Sequence, residues 1–212
     1  GKGSVAAMCA ASLRLAGLRV GLYTSPHLRE FRERIRILTP DAADGRISEA
    51  AFVAVMDRVR PAIEATPGIT WFEIVTALAF DHFAAGAVDV AVVEVGLGGR
   101  LDATNVLTPL VSVITSLSLD HTQLLGDTLA QIAFEKGGII KAGVPVVISP
   151  QNPEAERELV RIAAERGSPL TCVEQEYRLS ILSHSLRGQE LAFAAQTGDP
   201  APSTGIPGSA WL

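Results

Sequence analysis

Two nearly continuous β-branched runs, residues 88–95 (VDVAVVEV) and 110–115 (LVSVIT), constrain the fold of this chain more than any other feature. Runs of this kind suit strands covered on both faces, as in a parallel sheet. Around them strand and helix signatures alternate. Residues 4–16 are rich in Ala and Leu, and Gly17 is placed to stop a helix. Residues 18–24 (LRVGLYT) read as a strand running into the Ser25-Pro26 loop, and 30–40 as a charged stretch before the turn composition of 41–45. Ser48 caps a helix carrying Phe52, Val55, Met56 and Val59 at helical spacing, and residues 70–85 repeat that period. Residues 127–140 and 153–166 predict helices, and 144–148 and 170–173 strands. The alternation predicts an α/β fold, a doubly wound and mostly parallel sheet. After Tyr177 residues 178–186 and 190–195 read as a hairpin around Arg187-Gly188, and from Thr197 onward Gly, Pro and Ser dominate.

Composition narrows the class. At 212 residues and 48% hydrophobic the chain can bury one large core, and no apolar run is long enough to cross a bilayer. The opening residues lack the basic and apolar stretches of a signal peptide. Cys9 and Cys172 alone make no disulfide framework, which fits a reduced, cytoplasmic protein. A net charge of −5 argues against a general nucleic-acid surface, so basic residues should act locally.

Three places carry chemistry. Gly1, Lys2, Gly3 and Ser4, followed by a helix and then a strand, match the back half of a phosphate-binding loop. There glycine N–H groups face the phosphates, a lysine reaches them, and a helix N-terminus favours the anion. The same four residues also read as a charged terminus that contains glycine. Glu94 ends a strand run, where a buried carboxylate needs a partner or a metal, and ligands bind at that edge of such sheets. Its alternative role is to accept backbone hydrogen bonds at the next turn. His121 ends the following strand segment, in a position equivalent to those of Glu94 and Ser25, and reads as metal ligand or structural residue. Lys136, taken alone, is a solvated helical lysine.

Together these segments resemble the folylpolyglutamate synthase/dihydrofolate synthase family of the Mur ligase group. The resemblance rests on GKGS (1–4), GLYTSPHL (21–28), FRERIRI (31–37), WFEIVTALAF (71–80), VDVAVVEVGLGGRLDATNV (88–106) and LDHTQLLGDTLAQIAFEKGGIIKAGVPVV (119–147), in order over residues 1 to about 175. It implies an ATP-dependent ligase. ATP phosphorylates a carboxylate of dihydropteroate or a reduced folate, and the amino group of L-glutamate attacks the acyl phosphate. It further implies that Gly1, Lys2, Gly3 and Ser4 hold the ATP phosphates and that Ser25 and Glu94 ligate a Mg²⁺ between them. A second Mg²⁺ would be held by His121 and by Lys136 as a carbamylated lysine. Lys2, Glu94, His121 and Lys136 would then be the catalytic set. Phe72 and Asp102 would line the pterin pocket, the ring stacking and the carboxylate accepting N–H groups, although Phe72 also reads as core.

The resemblance sets the expected domain plan. Residues 1–196 form the P-loop domain, entered within its loop, and 197–212 a linker or irregular tail, with the family's glutamate-binding C-terminal domain absent. The chain alone is therefore expected to do little catalysis. A monomer acting on small molecules, with no nucleic-acid or membrane partner, is expected. The rival readings are another Mur-type amide ligase, a P-loop NTPase that switches or transports, and a non-catalytic fragment that keeps the fold.

Overall fold

In the computed structural model, residues 1–185 and 188–196 are described. The expected Arg187 end of the hairpin turn and the 197–212 tail lie outside them. Helix α1 (Lys2–Leu15) leads to the four-residue strand β1 (Val20–Tyr23), which is buried throughout. A 3₁₀ turn (Phe31–Arg34) enters β2 (Ile35–Leu38), followed by α2 (Glu49–Glu64), α3 (Trp71–Ala85) and β3 (Val90–Val93). After a second 3₁₀ turn (Ala103–Val106) come β4 (Ser112–Ile114), the single-turn α4 (Thr122–Leu125), α5 (Leu129–Gly137) and β5 (Val146–Ile148). Helix α6 (Pro153–Glu165), β6 (Leu170–Cys172) and the short α7 (Val173–Glu176) precede the hairpin of β7 (Tyr177–Ser185) and β8 (Gly188–Ala195).

The helix starts follow from capping chemistry. Ser48, Thr70, Thr128 and Asn152 each accept a backbone N–H of the turn they open. Thr70 with Glu73 and Thr128 with Gln131 form capping boxes, which satisfy orphan donors in both directions.

The strands make two three-stranded sheets, β2-β1-β3 and β4-β5-β6, beside the β7-β8 hairpin. The β1–β3, β4–β5 and β5–β6 pairings are parallel, as the alternation predicted. Strand β1 separates two cores because its side chains alternate. Val20 and Leu22 pack with Ala6 and Ala10 of α1, whereas Tyr23 joins Val55 of α2 and Val75, Leu78, Ala79 and Phe83 of α3. Gly21 faces α3 so closely that an added Cβ would stand 2.9 Å from the Phe83 ring.

Three strands differ from expectation. Strand β3 was expected to be covered on both faces, yet Val90, Val92 and Val93 are only partly buried and Ala91 is exposed. Strand β2, within the stretch read only as charged, pairs antiparallel with β1 in the register Tyr23↔Ile35. Its signal is the Arg–Ile alternation of residues 34–37: Ile35 is buried and Ile37 packs against the same core, Arg36 is half-buried and pairs with Asp44, and Leu38 turns to the other core. Strand β4 was expected to be covered on both faces; Ser112 and Ile114 are buried, yet Val113 is 41% exposed. The reason is that α5 and α6 build a core with Ile114, Val146 and Ile148, and Val113 points the other way.

Candidate functional site

The carboxyl ends of β1 and β3 lie side by side, and the loops leaving them meet there. The Glu94 N–H donates to the Tyr23 carbonyl at 2.9 Å, which extends the β1–β3 ladder by one residue. The Glu94 side chain is buried at 7% exposure and has no salt-bridge partner among the described residues. Its Oε2 accepts the Ser25 N–H at 3.1 Å, and an added Cβ on Gly3 would stand 3.4 Å from the same oxygen. Three residues selected from the sequence, Gly3, Ser25 and Glu94, therefore converge on one point. The backbone hydrogen bond predicted as the alternative role of Glu94 is made, to Ser25 rather than to the following turn.

Ser25 also opens a cavity of about 390 Å³, lined by Ser25, Pro26, Arg34, Phe72, Gly96, Leu97 and Asp102. Phe72 is both wall and core: it packs against the α2–α3 cluster, and its ring lies 6.1 Å from that of Tyr23. Asp102 shapes the glycine-rich loop, its Oδ1 accepting the Thr104 N–H at 3.0 Å and the Thr104 hydroxyl at 2.6 Å. Its Oδ2 accepts the Leu97 N–H at 2.9 Å. Beside the cavity, burial pushes the Tyr23 phenol above its ordinary range, opposed by the Thr76 hydroxyl 3.0 Å away and by Arg34, and reinforced by Asp102.

The segment between Ser25 and β2 is held by Glu33. Its carboxylate accepts the N–H groups of Leu28, Arg29 and Glu30 at 2.8, 3.1 and 3.0 Å, and these bonds hold its pKa below the usual value. Neither Glu33 nor Arg34 was singled out individually from the sequence; both sit inside the quoted FRERIRI stretch.

Lys136 occupies the last turn of α5, half-buried rather than solvated. Burial pushes its ammonium pKa down and Lys2 adds to the shift, while Asp120 acts in the opposite sense. Lys2, Asp120 and Lys136 thus share one electrostatic neighbourhood. His121 is exposed, sits in the left-handed conformation at φ 50°, and lies 3.7 Å from the Asp120 carboxylate. Among the described residues no group of three or more His, Cys, Asp or Glu gathers as a metal cluster. Arg100 clamps this turn to the glycine-rich loop through Glu135, Nη2 to Oε1 at 2.9 Å, and its own N–H donates to the Glu135 carbonyl at 2.8 Å. Gly99 permits that approach, since a Cβ there would stand 2.9 Å from the carbonyl oxygens of Glu135 and Lys136.

Outside this region, a cleft of about 150 Å³ at the ends of β5 and β6 contains none of the residues selected from the sequence. Both cysteines are free thiols. Among the described residues, no helix is long and apolar enough to cross a membrane.

No protein-family model matches the chain. Individual proteins do. The folylpolyglutamate synthase of Lacticaseibacillus casei is 42% identical over 202 residues, covering 93% of this chain and 46% of that protein. The dihydrofolate synthase/folylpolyglutamate synthase of Bacillus subtilis is 43% identical over 173 residues, covering 78% of this chain and 39% of that one. Among solved structures, an FPGS–AMPPCP–folate complex superposes with a TM-score of 0.85 at 42% identity, over 92% of this chain and 48% of that one. The chain thus spans about half the length of the curated relatives it matches. With sequence, fold and the order of the site segments in agreement, the chain belongs to the folylpolyglutamate synthase/dihydrofolate synthase family.

Proposed function

We propose that this chain is the nucleotide- and pterin-binding part of an ATP-dependent ligase that joins L-glutamate to dihydropteroate or to a reduced folate. The observation that carries the reading is the double position of Ser25, which donates its N–H to the buried Glu94 carboxylate and also lines the cavity of Phe72 and Asp102. Phosphoryl donor and acceptor carboxylate must meet, and a residue shared by a phosphate-side cluster and an adjoining cavity is what such a transfer requires. The cavity is also within the size range of small-molecule sites. The superposed relative is a complex with AMPPCP and folate, which supports the same pairing of ligands here.

In this reading residues 1–196 are the nucleotide-binding unit, with Gly1, Lys2, Gly3 and Ser4 against the phosphates. Ser25 and Glu94 fit Mg²⁺, because both offer oxygen and a buried carboxylate lacking a cationic partner is costly without compensating charge. When bound, the ion supplies charge neutralisation on the transferring phosphoryl group. For the second ion we propose His121 and a carbamylated Lys136. The lowered Lys136 pKa supports this, since only the neutral amine reacts with carbon dioxide, and the carbamate turns a repelled cation into an oxygen donor.

The test is phosphate release by the full-length protein with Mg²⁺–ATP and L-glutamate, run with dihydropteroate, with a reduced folate, and with neither. Release that depends on a pteroate-type acceptor is expected. Equal release without acceptor would instead identify a plain NTPase.

A further inference from the structure

The cavity beside Ser25 contains one cation with unused hydrogen-bonding capacity. Along the charged stretch that leads through β2, Arg32 pairs with Glu30, Arg36 with Asp44, and Arg46 with both Glu30 and Asp44. Arg34 has no carboxylate partner among the described residues, although it is half-buried and lines the cavity. It is held in place all the same. Its Nε donates to His27 Nδ1 at 3.0 Å, its guanidinium carbon lies 5.5 Å from the Phe31 ring centroid, and its carbonyl accepts the Thr24 N–H at 3.1 Å. The two terminal nitrogens are thus donors on a fixed stem, with none of their hydrogen bonds made within the described residues.

Asp102, across the same cavity, is nearly used up. A carboxylate offers about four acceptor positions. Thr104 takes two at Oδ1 and Leu97 takes one at Oδ2. About one position is left for a ligand N–H, which is too little to orient a flat heterocycle by itself. Arg34 and Asp102 both line the cavity, and both act electrostatically on the buried Tyr23 hydroxyl beside it.

We infer that Arg34 is the second polar contact of this cavity, donating to a ring oxo group of the acceptor while Asp102 accepts a neighbouring N–H and Phe72 offers its face. This rests on the ligase reading above and adds a specificity determinant to it. A fused pyrimidinone with an N–H donor beside an oxo acceptor satisfies both charges. An analogue with an amino group in place of the oxo presents a donor to a donor and leaves Arg34 unpaired. The fork geometry matters as well, because a lysine here would keep the charge but lose the paired, preset donors.

The experiment uses the full-length protein, wild type against Arg34→Met and Arg34→Lys, with matched oxo and amino pteroate acceptors. Methionine keeps an apolar stem against Phe31 and removes every donor. Losing a charge-assisted hydrogen bond corresponds to roughly a tenfold to hundredfold effect. Arg34→Met is expected to raise KM for the oxo acceptor by roughly tenfold or more, with a much smaller change for the amino acceptor, so that discrimination between them collapses. Arg34→Lys should recover part of it. Equal KM increases for both acceptors would reduce Arg34 to a structural role and overturn the inference, as would no change for either. Wild-type protein that releases no phosphate in response to either acceptor would mean that the ligase reading itself has failed, a result visible before any variant is compared.

Discussion

Replacing Gly96 with alanine should couple the stability of the fold to the shape of the cavity. A Cβ at Gly96 would stand 2.8 and 3.0 Å from the Phe72 Cε atoms and closer still to Cζ. Carbon atoms pack best at about 3.5 Å or more, so the ring must retreat by at least ~0.7 Å. Retreat inward is blocked, because Phe72 already packs on the α2–α3 core and against Tyr23. Overpacking of this kind costs about 1–3 kcal/mol. Loss of backbone freedom in the unfolded state returns about 0.4–1 kcal/mol. The net destabilisation is therefore at most about 2.6 kcal/mol, and at ~2–4 °C per kcal/mol for a domain of this size the midpoint should fall by up to about 10 °C. Guanidinium unfolding of Gly96→Ala, Phe72→Leu and the double variant measures it, since leucine lacks the ring tip that the new methyl meets. The double variant should lose at least ~1 kcal/mol less than the sum of the two single losses. Strict additivity would refute the contact as the cause.

Other outcomes follow from the same coordinates. Leu159→Ala, at a fully buried position in the α5–α6 core, should cost about 2–5 kcal/mol in denaturant unfolding with an unchanged slope. Glu94→Gln keeps an acceptor for the Ser25 N–H and removes an uncompensated buried charge. Its thermal midpoint should match or exceed that of wild type while Mg²⁺-dependent nucleotide binding is lost, and a lower midpoint would argue that the carboxylate is structural. Burial, aided by Arg58, holds the His82 pKa below its ordinary value, against the pull of Asp81. The unfolded chain therefore takes up that proton first, so the contribution of His82 is complete above about pH 6.5 and fades as pH falls below it. Wild type should lose more stability than His82→Gln between about pH 7.5 and about pH 5.5, and parallel pH profiles would contradict this.

Local chemistry reached far into this fold. The β-branched runs, the caps at Ser48, Thr70, Thr128 and Asn152, and the helical periods each depend on neighbours in sequence, so the α/β alternation and most element positions were legible before any coordinates. Strand β2 was not, because its arginines masked a short alternating pattern whose partner, β1, is a tertiary neighbour. Residue types drew out Gly3, Ser25 and Glu94, and the family resemblance Phe72 and Asp102, but their convergence depends on the parallel pairing of β1 with β3, which brings together Ser25 and Glu94, 69 residues apart in the chain. Only the tertiary structure shows that Lys136 is half-buried and within electrostatic reach of Lys2, that Asp102 has already used most of its acceptor positions, and that Arg34 lacks a carboxylate partner among the described residues. Burial and the pairing of charges are properties of the space around a residue, which its identity does not specify.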